Sequence, residues 1–214
     1  MTEGSGTAAR RGAYQLYRGD LPAGLDLGPV VAIDTEAMGL NPHRDRLCLV
    51  QLSSGDGGAH LVQLDPGDYA APNLRRLLAD PGVTKLFHFA RFDLGMMYRY
   101  LETMARPIYC TKIASRLART FTDKHGLREL CKDLLNVDLK KEQQSSDWGA
   151  PTLTDEQQRY AASDVLHLHA LRARLDTMLV REGRAALAQS CFDFLPNRVL
   201  LDLGGWAEQD IFAH

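Results

Sequence analysis

Hydrophobic and polar positions along the chain follow two different periods, and together they predict an α/β fold. Short apolar runs bounded by turn residues predict strands, and apolar residues at every third or fourth position predict helices. The predicted strands are residues 14–18, 30–34, 46–53, 59–64 and 83–87. The predicted helices are residues 72–79, 90–101, 111–119, 126–135, a long helix after residue 154, and a stretch from 182 to about 194. This order indicates a mixed β-sheet flanked by α-helices in a single domain.

Local motifs fix several of the predicted element ends. Residues 53–58 read SSGDGG between two strand candidates, which predicts a hairpin turn. Thr154 and Gln157 form a capping-box pattern, which predicts the start of the long helix. Residues 136–153 are polar without periodicity, and a loop of this length inside a domain is usually functional. We expect Pro196 to end the last helix.

The chain of 214 residues divides into three predicted parts. Residues 1–12 are rich in glycine, serine and alanine and are expected to be a disordered tail. Residues 13–181 carry the strands and helices of the domain. Residues 182–214 are expected to be a helical extension that packs on the domain or at a homodimer interface.

The composition says more about the cellular location of the protein than about its activity. Four cysteines form no CxxC pair, which favours reduced core thiols in a cytoplasmic protein. No apolar run is long enough to span a membrane, so no membrane partner is expected. The net charge is −2, yet residues 85–141 contain 12 basic and only six acidic residues. Such a segment can line a phosphate backbone, although solvated helix faces would have the same composition.

Five polar residues in three separated blocks carry the candidate chemistry. Asp34 and Glu36 lie two apart at a strand end, so both side chains project to the same side. Asp93 lies in the first turn of a predicted helix, where the helix dipole favours an anion. Tyr160 and Asp164 lie four apart and therefore share one helix face. Each block alone also fits an ordinary surface acid or a structural hydrogen bond.

Together, the blocks predict a metal site. Four carboxylates gathered in one pocket repel each other, and bound divalent cations relieve that repulsion. Two cations held by carboxylates are a common device for hydrolysing phosphodiester bonds. A metal-dependent nuclease is therefore the leading hypothesis.

Several longer strings resemble the ribonuclease D branch of the DEDD 3′–5′ exonucleases. They are VVAIDTEAMGL (30–40), DRLCLVQLSSGDG (45–57), KLFHFARFDLGMM (85–97) and YAASDVLHLHALRARL (160–175). Tyr160 with Asp164 matches the tyrosine subgroup of that superfamily. The resemblance implies a ribonuclease-H-like fold over about residues 14–180. It also implies a short form, without the helical accessory domains of larger relatives.

The resemblance implies a role for each of the five residues. Asp34, Glu36, Asp93 and Asp164 would be the ligands of two Mg²⁺ or Mn²⁺ ions. Tyr160 would position the attacking water or help to deprotonate it. Cleavage would start at the 3′ end of single-stranded RNA and release nucleoside 5′-monophosphates.

Substrate contacts are a further implication of the resemblance. Near the first two motifs, the expected contacts are Thr35, Met38, Leu40, His88 and Phe92, with ordinary core packing as the alternative for the apolar ones. In the loop 136–153, they are Lys140, Lys141, Gln143, Ser145 and Trp148. Trp148 has a second interpretation, as a packing anchor for that loop.

Two other functions remain open from the sequence. The same chemistry would serve a 3′–5′ exodeoxyribonuclease, since discrimination depends on contacts to the 2′-hydroxyl that no residue identifies. A catalytically silent nucleic-acid-binding module is the alternative from another class. That alternative predicts substitutions among the five residues, and all five are present.

Overall fold

Six strands form one sheet in the part of the chain that the computed structural model describes, residues 14–139 and 146–213. They are β1 Tyr14–Arg18, β2 Val30–Ala37, β3 Leu47–Ser53, β4 Ala59–Gln63, β5 Thr84–Phe87 and β6 Ile108–Cys110. Their order across the sheet is β1-β4-β3-β2-β5-β6. The β2–β3 and β3–β4 pairs are antiparallel, and the other three pairs are parallel. The predicted α/β class with a mixed sheet is confirmed.

Helices cover both faces and one edge of this sheet. They are α1 Pro72–Ala79, α2 Ala90–Leu101, α3 Thr111–Ala118, α4 Leu127–Leu135, α5 Asp155–Leu166, α6 Leu168–Arg181 and α7 Ala185–Leu201, with a π-helical turn, Asp202–Trp206, after α7. Helix α5 packs across β1, β2, β3 and β4. The predicted bounds of α1 and α2 match the structure at both ends. None of the described helices combines the length and apolar character that a bilayer crossing requires.

The predicted hairpin connects β3 to β4 with side-chain hydrogen bonds inside the turn. The Ser53 hydroxyl donates to the carbonyl oxygen of Gly58 at 2.7 Å. The Gly58 amide donates to Asp56 Oδ1 at 2.9 Å. Gly55 and Gly57 adopt φ values of +84° and +91°, a region that glycine enters at little steric cost. The glycines of SSGDGG therefore allow the turn. Strand β4 follows them, and not the helix that a phosphate-binding loop requires.

Three expectations about the elements are wrong. The short strand β6 is absent from the predicted set, because three residues give too little pattern to detect. The predicted long helix is two helices, which separate at His167. Helix α7 continues through Pro196 to Leu201 instead of ending before it. Its buried residues Phe192 and Val199 pack against the domain on both sides of the proline, and this packing offsets the lost hydrogen bond.

The C-terminal extension packs on the domain, mainly against α2 and β6. The Phe192 ring lies 4.6 Å from the Tyr109 ring, measured between centroids. Arg91 of α2 binds Asp202 at 2.5 Å, and Arg198 binds the same carboxylate at 2.7 Å. The extension thus contacts the domain, and its predicted place at a homodimer interface stays a prediction. The boundaries of the three predicted parts stay predictions, and residues 1–12 lie outside the described residues.

Two basic residues of the segment 85–141, Lys85 and Arg119, are buried and do not lie on the protein surface. Lys85 is fully buried, and its ammonium group donates to the carbonyl oxygens of Asp80 and Arg106. Burial lowers the pKa of Lys85 to about 8. Arg119 is 3% exposed and binds Asp133 at 2.5 Å. The expectation that this segment lines a phosphate backbone is therefore wrong for these two residues, because each serves the fold.

A carboxylate distant in sequence caps the start of α1. Asp20 accepts the backbone N–H groups of Asn73 and Leu74, each at 2.8 Å. The Asn73 side chain in turn donates to the carbonyl oxygen of Leu21 at 2.9 Å. The first turn of a helix leaves such N–H groups without partners inside the helix. Asp20 therefore fastens the β1–β2 connection to α1.

Removing this cap should destabilise the protein without touching the candidate site. We expect Asp20→Ala to lower the free energy of unfolding by about 1–2 kcal/mol, the usual cost of losing a helix cap. Urea unfolding followed by circular dichroism measures the change. Asp123→Ala, which removes an exposed acid before α4, is the matched control and should change little. Equal stability of the two variants would contradict the capping role.

Candidate active site

Strand β2 brings two carboxylates to one face of the sheet. Asp34 pairs with Gln51 of β3, and Glu36 pairs with Leu49. Because side chains alternate along a strand, Asp34 and Glu36 project from the same face. A register shift follows Glu36, so the regular ladder ends directly after the second carboxylate. Glu36 therefore lies at the irregularity near the end of β2, and Asp34 lies two residues earlier, beyond the last β2 residue that pairs with β5.

Asp93 reaches the same cleft from the first turn of α2. Its side chain is 2% exposed, and the Thr35 hydroxyl donates to Asp93 Oδ1 at 2.6 Å. The turn that precedes it contains Phe89 with φ +69°, a left-handed conformation that is strained for an aromatic residue. This sharp turn lets α2 start immediately after β5 and directs its positive end at the carboxylates.

Helix α5 supplies the fourth carboxylate, that of Asp164. One carboxylate oxygen each from Asp34, Glu36 and Asp164 lie within 4.8 Å of one another. Two oxygens on a single Mg²⁺ ion are at most about 4.2 Å apart, because each lies about 2.1 Å from the metal. The three carboxylates therefore fit a divalent cation with small side-chain adjustments. The predicted convergence of Asp34, Glu36 and Asp164 is what the structure shows.

The electrostatics of the cluster include the fourth acid. Burial raises the pKa of Asp34 to about 7, and the backbone N–H of Thr35 opposes this shift. Burial, followed by repulsion from Asp34, Asp164 and Asp93, raises the pKa of Glu36 to about 10. Burial and repulsion from Asp34 also raise the pKa values of Asp93 and Asp164 well above their usual range. All four carboxyl groups thus interact, and a cation is the natural remedy for their repulsion.

Tyr160 lies on the same face of α5, next to Asp164. Burial and the three acids Asp164, Glu36 and Asp34 raise the pKa of the Tyr160 hydroxyl. The hydroxyl in turn lowers the pKa of Asp164 by a side-chain hydrogen bond. Behind it, the Trp148 ring lies 6.1 Å from the Tyr160 ring, between centroids. The five residues predicted from the sequence are therefore together in one cleft.

Two of the predicted substrate contacts line a cavity beside the cleft. Leu40 is 84% exposed, and together with Phe92 it lines a cavity of about 480 Å³. The opposite wall comes from the C-terminal extension and includes Val199 and Leu203. Met38 is 52% exposed at the end of β2. Leu40 and Met38 are thus accessible, whereas Phe92 is partly buried and also packs against the core.

Thr35 and Trp148 face elsewhere. The Thr35 side chain is 5% exposed and bonded to Asp93, so it holds a ligand and does not project toward a substrate. Trp148 is 3% exposed, which corresponds to the packing anchor and not to a groove-lining residue. The substrate contacts expected of these two residues stay predictions, although both side chains are buried in the structure. Lys140, Lys141, Gln143 and Ser145 lie outside the described residues.

His88 has a defined tautomer. The Thr111 hydroxyl donates its one proton to the carbonyl oxygen of Phe87 at 3.1 Å. It must therefore accept from His88 Nδ1–H, at 2.9 Å. Burial and the nearby Lys112 lower the pKa of His88 to about 3, so the ring is neutral. His88 consequently offers Nε2 as a hydrogen-bond acceptor.

The sequence did not indicate two residues, Thr111 and Arg46, that hold neighbouring groups of the site region in place. Thr111 begins α3, and threonine at a helix start gives no signal of a partner 23 residues away. Arg46 donates to the carbonyl oxygens of Leu64 and Gly149, each at 3.1 Å. An arginine just before a strand is indistinguishable in sequence from a solvated one. Only the folded chain shows these contacts.

Comparisons with known proteins agree with this geometry. A family profile described as 3′-5′ exonuclease matches residues 20–180. Ribonuclease D of Gluconacetobacter diazotrophicus is 38% identical over 156 residues, which are 73% of this chain and 39% of the relative. A structure of Brucella melitensis NrnC with bound Mg²⁺ has a TM-score of 0.91 at 54% identity, covering 94% of this chain and 99% of that one. NrnC bound to pGG matches with the same TM-score at 55% identity, covering 94% and 98%.

The matches also show how much of each relative's length this chain corresponds to. The chain spans about two fifths of the length of the curated ribonuclease D relatives, and nearly the whole length of NrnC. The expected ribonuclease-H-like fold is confirmed by these structural neighbours, which include ribonuclease D of Escherichia coli at a TM-score of 0.70 and 27% identity. The profile match covers the strands and helices that carry all five site residues. The chain therefore belongs to the 3′–5′ exonuclease family.

Proposed function

We propose that this chain is a metal-dependent 3′–5′ exoribonuclease that removes nucleoside 5′-monophosphates from RNA ends. The observation that carries the proposal is the convergence of Asp34, Glu36 and Asp164 within 4.8 Å, beside Asp93 and Tyr160. This set supplies every ligand and hydroxyl that two-metal phosphodiester hydrolysis requires. A silent binding module has no need for four mutually repelling acids.

The four carboxylates of Asp34, Glu36, Asp93 and Asp164 would hold two Mg²⁺ or Mn²⁺ ions. When bound, the ions supply Lewis acidity, which lowers the pKa of water and offsets the charge that develops on the leaving 3′ oxygen. Thr35 keeps the Asp93 carboxylate in one orientation through its 2.6 Å hydrogen bond. Preorganised ligands reduce the rearrangement that binding would otherwise need.

Tyr160 would orient the attacking water. The Tyr160 hydroxyl lies beside Asp164, so it borders both this proposed metal ligand and the cleft. A hydroxyl donates one hydrogen bond and accepts two, which suffices to fix the direction of a water lone pair. Leu40 and Phe92 would hold the terminal base in the adjacent cavity, and the acceptor nitrogen of His88 would contact a sugar hydroxyl.

The proposed substrate is short single-stranded RNA. Support comes from relatives named ribonuclease D and from NrnC, whose structure bound to pGG matches nearly the whole of this chain. DNA is the alternative substrate with the same chemistry.

Two expectations about the setting are also proposals. A reducing, cytoplasmic location is supported by four cysteines that are all free thiols. Self-association, at its simplest a homodimer, is supported by exposed apolar residues on the C-terminal extension. They include Trp206, Ile211 and Phe212.

The direct test of the function compares a 5′-labelled RNA with a DNA of the same sequence. Each is incubated with Mg²⁺, Mn²⁺ or EDTA and separated on a denaturing gel, with pGG as a second, short substrate followed by chromatography. We expect metal-dependent shortening from the 3′ end, faster on RNA, and GMP from pGG. Faster shortening of the DNA would transfer the proposal to an exodeoxyribonuclease. Intact substrates in every lane would support the binding module.

Removing one ligand should separate catalysis from folding. We expect Asp34→Asn to lower the rate by on the order of a thousandfold or more, because a carboxylate of the proposed metal site is lost. Near pH 8 the metal-free variant should be more stable than wild type, because a buried, repelled charge is removed. The gain should be a few kcal/mol, since one pKa unit is worth about 1.4 kcal/mol.

Stopped assays and urea unfolding measure these two effects. Asp68→Asn, an exposed acid beyond β4, is the matched control and should behave as wild type. Full activity of Asp34→Asn would exclude the proposed metal site.

Metal binding should depend on pH through the same carboxylates. Their pKa values are raised in the fold, so the metal-free protein loses stability as the pH rises from about 4, through the value of about 7 for Asp34. Cations bind only the ionised form. The rise in melting temperature with millimolar Mg²⁺ or Mn²⁺ should therefore be small at pH 5.5 and larger at pH 8, as measured by differential scanning fluorimetry. A shift that is absent, or equal at every pH, would contradict this assignment.

A further inference from the structure

A short segment beside the active site is fastened to the domain at several points. We call residues 146–151, which lie shortly before the start of α5, the strap. Gln157, in the first turn of α5, donates to the Ser146 hydroxyl at 2.8 Å and to the carbonyl oxygen of Asp147 at 3.0 Å. Gln157 also closes the capping box with Thr154. The beginning of the strap is thus bound to the helix that carries Tyr160.

The rest of the strap is held by its backbone. Three side chains, one directly before β3 and one at the end of each of β4 and β1, bind three successive carbonyl oxygens. Arg46 donates to Gly149 at 3.1 Å, Gln63 donates to Ala150 at 2.9 Å, and Arg18 donates to Pro151. A loop is usually among the more mobile parts of a domain. Consecutive charged and amide donors on adjacent carbonyls instead fix this one against the sheet.

Trp148 of the strap packs behind Tyr160. The indole is 3% exposed, and its ring centroid lies 6.1 Å from that of Tyr160 at an interplanar angle of 37°. Its N–H has no acceptor in the described part of the chain, so the contact is one of shape alone. A tyrosine ring against such a wall has fewer positions to adopt. The wall therefore limits where the Tyr160 hydroxyl can point.

Gly149 of the strap contacts Met38, the exposed residue that follows the first motif. A Cβ atom at position 149 would lie 2.3 Å from the Met38 sulfur, closer than any real contact. Arg46 brings the two residues together. The Met38 amide donates to the Arg46 carbonyl oxygen at 3.0 Å, while the Arg46 guanidinium holds the Gly149 carbonyl. A side chain at position 149 would therefore displace the Met38 thioether from its present place.

We propose that the strap is a positioning device that sets two functional side chains at once, Tyr160 through Trp148 and Met38 through Gly149. It rests on the proposed exoribonuclease function, in which Tyr160 orients water, and on the substrate contact that the family resemblance implies for Met38. Neither Trp148 nor Gly149 touches the substrate in this proposal. Each acts through its neighbour, and the two contacts should have separate kinetic signatures.

The Trp148 contact should affect turnover. We expect Trp148→Ala to lower kcat on the order of tenfold or more with little change in KM, because a misplaced Tyr160 orients water poorly. Trp148→Phe removes no hydrogen bond and should keep most of the activity. The metal-induced rise in melting temperature should match wild type in both, because the ligands are intact. Trp206→Phe, at a 45% exposed tryptophan, is the matched control.

The Gly149 contact should affect binding. We expect Gly149→Ala to raise KM by the same factor as Met38→Ala and to leave kcat unchanged, because the added methyl displaces the thioether. The double variant should equal Met38→Ala alone, since Gly149→Ala then has nothing to displace. In the Trp206→Phe background, Trp148 is the remaining tryptophan of two, and its emission should stay unchanged in Gly149→Ala. That result would show that the strap itself is intact.

The outcomes distinguish this proposal from the function on which it rests. If the wild-type protein cleaves neither RNA nor pGG, the proposed function itself is wrong. Cleavage by wild type together with a kcat of Trp148→Ala within twofold of it overturns the Tyr160 half of the proposal. Loss of the metal-induced shift in Trp148→Ala overturns it as well, because the defect would then be a general one. Additive effects of Gly149→Ala and Met38→Ala overturn the Met38 half.

Discussion

Repulsion among four carboxyl groups in one cleft is the constraint on which the rest of this structure depends. Asp34, Glu36, Asp93 and Asp164 come from three different elements; burial raises the pKa of each, and repulsion from neighbouring acids raises it further for Glu36, Asp93 and Asp164. Such a cluster opposes folding unless protons or cations neutralise it. The fold must therefore hold these elements together by other contacts, and a divalent cation gains affinity from the repulsion that it removes.

Long-range polar contacts, together with the core, supply that holding force. Thr35 fixes Asp93, Thr111 fixes His88, and Asp20 fastens the start of α1. Arg46 binds the backbone of Leu64, after β4, and that of Gly149, before α5. In each case a side chain from one element satisfies a group of another, so the alignment of β2, α2 and α5 does not rest on apolar packing alone. This arrangement suits a site whose ligands must remain in place while their charges repel.

The sequence predicted the elements well where local chemistry defines their ends. Pro72 sets the start of α1, the Thr154 capping box sets the start of α5, and the glycines of 53–58 set the hairpin. The five site residues were also predicted, because strand-end and helix-face positions bring carboxylates together by simple geometry. The roles implied for substrate contacts depend on directions that sequence does not contain, as for Thr35 and Trp148.

What the sequence did not contain is tertiary in origin. Pro196 lies inside a helix because packing of the extension on α2 outweighs the local preference. Strand β6 exists because β5 offers it a partner. Lys85 has the composition of a surface residue, yet two carbonyl oxygens allow its complete burial. Propensity and pattern carry no information about such partners.

The most direct test of the central claim is the position of the metal itself. Crystals of the protein soaked in Mn²⁺ would be measured at a wavelength where manganese scatters anomalously. Two peaks about 3.5–4 Å apart among Asp34, Glu36, Asp93 and Asp164 are the expected result. No peak in this cleft at millimolar Mn²⁺, with the four side chains placed as described, would contradict a two-metal site.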